Sequence, residues 1–221
     1  MTGSIAENLA KLRQNVPDTV RLIAVTKTFP SKAIRAAYDS GIRDFAESRI
    51  QEALDKQEEL QDLPDICWHF IGHLQSNKAK KAIAHFPWIH TCDSLKLAKR
   101  LDRLAGELEK TPKLCLQVKV LPDADKYGWT LEELWSDLPE IEKLSHLEIC
   151  GLMTILPMGL SEEEALGGFE KLRSLRDEIQ NHPDYNFNLP ELSMGMSADY
   201  PLAIKAGATM IRLGRVIFGE R

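Results

Sequence analysis

The chain has 221 residues, of which 43% are hydrophobic and 28% charged, and its formal net charge at pH 7 is −5. This balance is typical of a globular domain and shows no excess of Lys and Arg that would indicate binding to nucleic acid or to an anionic membrane. No apolar run approaches the roughly 20 residues of a membrane span, and the polar amino-terminal segment lacks the apolar core of a signal peptide.

Short apolar segments alternate with amphipathic helical segments along the whole chain. The strands are expected at residues 22–27, 44–48, 68–72, 88–92, 113–120, 147–155, 191–195 and 210–214. Capping boxes begin three of the helices: Ser4 with Glu7, Thr130 with Glu133, and Ser161 with Glu164. The cysteines lie far apart in apolar runs, which indicates buried free thiols in a reducing, cytoplasmic setting: Cys67, Cys92, Cys115 and Cys150.

This order of elements predicts a single α/β domain over residues 1–221, with parallel strands joined by right-handed crossovers. A (β/α)₈ barrel of the TIM type, with one extra amino-terminal helix, needs about 200–250 residues. The strands read as continuous apolar runs, as expected for strands buried on both faces. An open doubly wound sheet is the alternative, but no Gly-x-Gly-x-x-Gly follows the first strand, which argues against a dinucleotide site.

Lys27 closes the first predicted strand, on the same face as Val25 and Ile23. If that face lines the barrel, desolvation lowers the pKa of the amine and favours the neutral form that attacks an aldehyde. The alternative is a lysine at the end of a strand that reaches into solvent. Chemistry in such barrels lies at the carboxyl ends of the strands, where Lys27 falls.

Two glycine-containing turns follow the last two predicted strands. Ser193, Gly195 and Ser197 follow strand seven, and Gly214 follows strand eight. Phosphate sites in TIM barrels are often built from these two loops, so we expect an anion site here, with ordinary tight turns as the alternative.

Arg212 lies inside an otherwise apolar strand and therefore needs an acceptor, which a ligand or a structural carboxylate would supply. His69 and His73 lie in the polar segment that ends strand three, one on the strand and one in the loop after it, but their spacing is not that of a metal site. We therefore expect no metal.

Several segments together resemble the pyridoxal phosphate homeostasis protein family over essentially the whole chain. They are Ala24-Val25-Thr26-Lys27, the run from His69 to Lys78, Lys126-Tyr127-Gly128, Gly151-Leu152-Met153, the run from Ser193 to Tyr200, and the run from Arg212 to Arg221. The resemblance implies a fold like the barrel domain of alanine racemase, and pyridoxal 5′-phosphate (PLP) bound as an aldimine to Lys27.

The resemblance also implies which further residues bind the cofactor. They are Ser48, Asn77, Met153, Ser193, Gly195, Met196, Ser197, Arg212 and Gly214. The turns at residues 193–197 and 214 would hold the phosphate, Arg212 would lie near the pyridine nitrogen, and Met153 would lie beside the ring. Two departures weaken the correspondence: the family often has Asn where this chain has Ser48, and Asn where it has Lys119.

The same resemblance predicts a carrier in intracellular PLP homeostasis and not an enzyme. Racemases with this barrel take a second base from a second domain, which a single barrel lacks, and an arginine at the ring nitrogen makes the cofactor a weaker electron sink. We expect a monomer, with PLP-dependent apo-enzymes as candidate recipients. The alternatives are a racemase-like enzyme of low activity, and a barrel that binds a sugar phosphate without an imine.

Overall fold

Eight parallel strands close into a barrel in the computed structural model, which describes residues 3–220. The strands follow one another around the barrel in chain order, and the last pairs with the first through Leu22 with Ile211 and Ile23 with Arg212. The prediction of a TIM-type barrel is therefore confirmed, and the open doubly wound sheet is excluded.

Helices join consecutive strands and cover the outside of the barrel. The strands are β1 (Arg21–Val25), β2 (Asp44–Glu47), β3 (Cys67–Phe70), β4 (Trp88–Cys92), β5 (Lys113–Gln117), β6 (Glu148–Met153), β7 (Glu191–Ser193) and β8 (Met210–Leu213). The helices are α1 (Ile5–Arg13), α2 (Ser31–Asp39), α3 (Ile50–Glu59), α4 (Ala79–His85), α5 (Leu95–Glu107), α6 (Leu131–Ile141), α7 (Glu162–Gln180), α8 (Tyr200–Lys205) and α9 (Arg215–Phe218). A 3₁₀ turn, Ser76–Lys78, precedes α4.

Most strands end earlier than the sequence predicts. The strand predicted at 22–27 ends at Val25, because Thr28 adopts a left-handed backbone with a φ of 70° that breaks the extended run. The strand predicted at 113–120 ends at Gln117, and Val118 then forms only an isolated bridge to Trp129 in the following loop. Buried apolar side chains continue past some strands, as Val118 and Val120 do past β5, so the pattern alone overestimates strand length.

The helix boundaries agree better with the sequence, because they depend on local capping. The three predicted capping boxes are present at the starts of α1, α6 and α7. The main core lies between barrel and helices, where Leu101, Leu134 and Leu172 are fully buried. Of the helices among residues 3–220, none is long and apolar enough to cross a membrane.

The inside of the barrel is more polar than continuous apolar strands would imply. A small apolar cluster fills part of it, comprising Ile23, Val25, Ala46, Trp88, Cys115, Cys150, Met153 and Met210. Buried polar side chains fill the rest: His69, His90, Gln117, Ser193 and Arg212. The expectation of strands that are apolar on both faces is therefore wrong for the inner face. The apolar residues that suggested it from the sequence lie largely on the outer face.

The cysteines are free thiols, as the sequence predicts. Three are buried, and Cys67 is half-buried. Burial raises the pKa of the Cys67 thiol to about 11. It also raises the pKa of the Cys150 thiol to about 12, so neither is a reactive thiolate at neutral pH.

Candidate functional site

A cavity of about 210 Å³ opens at the carboxyl ends of β1, β6 and β8. Its lining consists of Val25, Lys27, Ile71, Ile155, Met196, Ser197, Ala198, Arg212, Gly214 and Arg215. Lys27 follows β1 and Arg212 lies on β8, and these strands are paired, so the closure of the barrel brings together two residues 185 positions apart (212 − 27). An apolar wall thus surrounds one amine and one buried guanidinium.

The half-buried Lys27 lies in a loop whose flanking residues form hydrogen bonds to side chains of β2 and α3. The hydroxyl of Thr26 donates to Oε1 of Glu47 at 2.6 Å, and Nζ of Lys56 donates to the carbonyl of Thr26 at 2.8 Å. On the other side, the backbone N–H of Thr28 donates to Oε1 of Glu52 at 2.5 Å. These bonds stabilise the left-handed conformation of Thr28, which costs a non-glycine residue roughly 1–2 kcal/mol.

Glu47, Lys56 and Glu52 form one network beneath this loop. Nζ of Lys56 lies 2.7 Å from Oε1 of Glu47 and 2.7 Å from Oε1 of Glu52. Burial raises the pKa of the Glu47 carboxyl, an effect that the bonds from Lys56 and Thr26 oppose. Sequence analysis missed this network, although a glutamate in the apolar segment 44–48 and a lysine on the buried face of α3 are its signals.

Arg212 is buried and holds a fixed orientation. Its Nη1 donates to Oγ of Ser193 at 2.6 Å, and its Nη2 donates to the carbonyl of Thr154 at 2.9 Å. Burial lowers the pKa of Arg212 to about 10, so the guanidinium stays charged at neutral pH. Within residues 3–220 no carboxylate pairs with it directly, and three of its five N–H groups are not used by these two bonds.

The turns after β7 and β8 are linked by Ser197. Its Oγ accepts from the backbone N–H of Gly214 at 3.3 Å and of Val216 at 3.5 Å. The N–H of Met196 donates to Asp199, which leaves it unavailable to a ligand without rearrangement. Gly195 has a φ of +90°, and a Cβ there would lie 2.6 Å from Cβ of Ala203, so the turn requires glycine.

Gly214 differs from Gly195, because nothing among residues 3–220 requires a glycine there. Its φ is −115°, and an added Cβ would meet the carbonyl oxygen of Val25 at 3.4 Å and Cβ of Val25 at 3.6 Å, both ordinary contacts. The residue nevertheless lines the cavity. The glycine therefore leaves room at the cavity wall and does not serve the local backbone.

A second cavity, of about 280 Å³, lies beside the first at the carboxyl ends of β2 and β3. Ser48 and His73 line it together with the basic side chains of Arg49, Lys78 and Lys81. The ring of His73 stacks on Tyr127 with centroids 3.6 Å apart, and its Nδ1 lies 3.0 Å from Asp93.

The structure brings together half of the residues expected at the cofactor. Lys27, Met196, Ser197, Arg212 and Gly214 share the first cavity. The others lie around it: Ser48 in the second cavity, Asn77 exposed in the 3₁₀ turn, Met153 and Ser193 buried inside the barrel, and Gly195 behind the β7 turn. Their contacts with a cofactor stay predictions.

One group of side chains could hold a metal among the residues that the structure describes. Asp44, Cys67 and His69 place ligand atoms within 4.8 Å of one another at the amino-terminal end of the barrel. The Nε2 of His69 is already bonded to Asp44 at 2.9 Å, and the positive charges of Arg21 and Lys113 act on the thiol. Those cations would repel a metal ion, so the group is better suited to hydrogen bonding.

Comparison with known proteins agrees with this architecture. The sequence matches the family described as alanine racemase, N-terminal domain, over residues 2–221. It is 57% identical over 206 residues to the pyridoxal phosphate homeostasis protein of Synechocystis sp., covering 93% of this chain and 94% of that protein. It is 37% identical over 232 residues to the protein of the same name from Escherichia coli K12, covering 99% and 97%.

Solved structures show the same relationship. PipY of Synechococcus elongatus, solved with PLP bound, superposes with a TM-score of 0.94 at 53% identity, covering 98% of this chain and all of that one. An alanine racemase from Clostridium difficile has a TM-score of 0.79 at 15% identity and shares the fold alone, over 60% of its length. The chain therefore belongs to the alanine racemase N-terminal-domain family and, within it, to the pyridoxal phosphate homeostasis proteins.

Proposed function

We propose that this chain binds PLP in the cavity between Lys27 and Arg212 and acts in PLP homeostasis. The observation that carries the proposal is the presence of an amine, a guanidinium and two turns with backbone donors around one cavity of about 210 Å³. The PLP-bound PipY, with 53% identity, supports the same ligand.

Lys27 supplies the nitrogen for covalent attachment. Its neutral amine attacks the aldehyde carbon of the ligand, the oxygen leaves as water, and a carbon–nitrogen double bond remains. The apolar side chains of Val25, Ile71 and Ile155 line the same cavity as the amine. The bonds to Thr26 and Thr28 hold the loop so that the amine keeps its position.

The turns after β7 and β8 supply the phosphate site. The backbone N–H groups of Gly214 and Val216 converge on Oγ of Ser197, which supports an oxygen acceptor at this point. Arg215 lines the same part of the cavity and adds a positive charge. Backbone donors together with a cation are the usual means by which proteins bind phosphate.

The finer proposal is that the protein carries PLP and does not turn it over. Its curated relatives are named as homeostasis proteins. Tyr127 is 55% exposed and stacks on His73, so it is not positioned as a base inside the cavity. The likeness to alanine racemase extends to the fold alone. We therefore propose a monomeric cytoplasmic carrier, with PLP-dependent apo-enzymes as recipients.

A titration with PLP tests both parts of the proposal. We expect a visible absorbance band, fixed by borohydride on the peptide that contains Lys27, and absent in Lys27→Ala. Lys119→Ala is the matched control, because Lys119 is another half-buried lysine that follows a strand, and this variant should keep the band. Addition of a PLP-dependent apo-enzyme should then activate that enzyme as the band declines. Modification at Lys119 in the unmutated protein would contradict the assignment.

A further inference from the structure

A continuous line of hydrogen bonds crosses the inside of the barrel from Arg212 to the opposite end. Nη1 of Arg212 lies 2.6 Å from Oγ of Ser193, which lies 2.8 Å from Nδ1 of His90. Nε2 of His90 lies 2.8 Å from Nδ1 of His69, and Nε2 of His69 lies 2.9 Å from Oδ1 of Asp44. The line joins β8, β7, β4, β3 and β2, and we call it the interior chain.

The chemistry of the groups assigns each proton in the interior chain. The carboxylate of Asp44 only accepts, so a neutral His69 carries its proton on Nε2 and accepts at Nδ1 from the Nε2–H of His90. Nδ1 of a neutral His90 then accepts from the Ser193 hydroxyl, whose oxygen in turn accepts from Arg212. Both rings are neutral, and every bond points the same way, from a cation to a carboxylate.

Burial supports this assignment. Ser193, His69 and His90 are fully buried, whereas the side chain of Asp44 is 24% exposed at the amino-terminal end of the barrel. Burial lowers the pKa of His69 and lowers that of His90 well below the usual value, which keeps both rings neutral. A buried polar group without a partner would cost about 1–3 kcal/mol. The interior chain gives a partner to each polar side-chain atom of Ser193, His69 and His90.

We propose that Asp44, His69, His90 and Ser193 are positioning residues for the PLP site, which act on the bound cofactor through Arg212. The inference rests on the proposed function, because it assumes that the remaining N–H groups of Arg212 face PLP. The hydroxyl of Ser193 is oriented from both sides, because its oxygen accepts from Arg212 and its proton goes to Nδ1 of His90. The ring of His90 is in turn fixed by His69, and that of His69 by Asp44.

The interior chain therefore determines where the guanidinium points. Without His90, the Ser193 hydroxyl loses the acceptor for its proton and is no longer held in one orientation. The guanidinium would then keep only the Thr154 carbonyl as a fixed acceptor among the described residues. Its donors would no longer be held towards the cavity, so a ligand would have to order them on binding.

The test combines PLP affinity with the state of the histidine rings. In the unmutated protein without PLP, the ¹⁵N spectrum should show both His69 and His90 as neutral rings protonated on Nε2. His90→Leu removes both bonds, and we expect it to weaken PLP binding about tenfold, the loss expected for one charge-assisted bond. His90→Gln, whose amide both donates and accepts, should recover most of that loss. Both variants should also shift or broaden the visible band of bound PLP.

Two further variants separate positioning from packing. Met210→Leu changes the small apolar cluster inside the barrel at nearly constant side-chain volume, and it should leave the PLP affinity unchanged. Asp44→Asn keeps an acceptor for His69 but removes the charge, so it should weaken PLP two- to threefold and shift the ring signals of His90. Asp65→Asn, at another carboxylate near the amino-terminal end, should do neither, because the side chain of Asp65 bonds to Tyr38 and Arg43, which lie outside the interior chain.

The outcomes are distinct. Absence of the PLP band in the unmutated protein would overturn the proposed function and this inference together. A normal band with unchanged affinity in a folded His90→Leu would overturn the inference alone, as would equal losses in His90→Leu and Met210→Leu. If His90→Leu does not fold, Asp44→Asn and Ser193→Ala decide the question: unchanged affinity and band in both would overturn the inference. Rings protonated on Nδ1 would overturn it as well.

Discussion

Nζ of Lys56 lies 2.7 Å from Oε1 of Glu47, in an ion pair buried beneath the loop that carries Lys27. The same ammonium donates to the carbonyl of Thr26, so the pair connects α3 and β2 to the residue that precedes Lys27. The pair thus ties the position of the proposed reactive amine to the packing of a helix that does not itself line the cavity. Removing either partner would leave a buried charge without its counter-ion, which would destabilise the folded protein.

We predict that Lys56→Met destabilises the protein by about 3–5 kcal/mol, because it leaves a buried carboxylate without its partner. The double variant Glu47→Gln/Lys56→Met should recover much of that loss but still bind PLP more weakly, since Thr26 no longer has its donor. Urea unfolding at pH 7 and PLP titration measure the two effects. Lys99→Met, which breaks an exposed pair with Glu140, should cost at most about 1 kcal/mol. Equal losses in Lys56→Met and Lys99→Met would contradict the role of the buried pair.

We predict that Gly214→Ala folds normally and binds PLP much more weakly than the unmutated protein. The added methyl group meets only ordinary contacts within the protein, but it protrudes at the wall of the cavity. Thermal unfolding and PLP titration together check this. Gly195→Ala serves as the comparison, because it should lower the thermal stability of the fold itself. Unaltered PLP affinity in Gly214→Ala would show that the phosphate does not approach this turn.

Ser197→Ala should weaken PLP but leave pyridoxal, which lacks the phosphate, nearly unaffected. The loss of one hydrogen bond to a charged group is worth roughly 1.5–3 kcal/mol, which corresponds to at least a tenfold change in affinity. Parallel titrations with the two ligands measure the difference. If both ligands lose affinity equally, Ser197 acts on the shape of the cavity and not on the phosphate.

We predict that acid destabilises the fold through the buried histidines. The pKa values of His69 and His90 are lowered in the folded state, so the unfolded chain takes up protons first as the pH falls below about 6.5. The stability present above that pH is then lost at up to about 1.4 kcal/mol per pH unit for each histidine, until the folded-state pKa is reached. Glu47 opposes this loss, because its raised pKa makes proton uptake favourable in the folded state.

Unfolding free energies measured between pH 7 and pH 5 test the effect. The double variant His69→Gln/His90→Gln should flatten the dependence on pH, whereas His85→Gln, at an exposed histidine whose pKa burial also lowers, should flatten it less. A slope in the double variant equal to that of the unmutated protein would assign the acid sensitivity to other groups.

We predict no appreciable racemase, decarboxylase or transaminase activity. A second positioned base contributes a factor of about 10²–10⁴ to such reactions, and neither Tyr127 nor the half-buried Tyr200 lines the cavity. A chiral assay of alanine and other amino acids, run beside Lys27→Ala, provides the measurement. Turnover on the order of 1 s⁻¹ or faster that disappears in Lys27→Ala would overturn the proposal of a carrier.

The sequence by itself determined the alternation of strands and helices, their order and the three capping boxes, because these depend on the spacing of residues close together in the chain. It favoured a barrel over an open doubly wound sheet, and it indicated Lys27, Ser197, Arg212 and Gly214, since strand ends meet at one end of any parallel barrel. Strand lengths were overestimated because Val118 and Val120 are apolar and buried although they lie beyond the end of β5.

Only the tertiary structure decided which distant side chains share a hydrogen bond. His69 and His90 are 21 residues apart, and His90 and Ser193 are 103 residues apart, so their bonds depend on how the barrel closes and which face of each strand points inward. The contacts of Lys56 with Thr26 and Glu47 likewise depend on how α3 packs against β2. The periodicity of apolar residues along the chain indicates which side chains are buried, but not which buried side chains bond to each other. The bonding partners depend on the register and tilt of strands that meet only in the closed barrel.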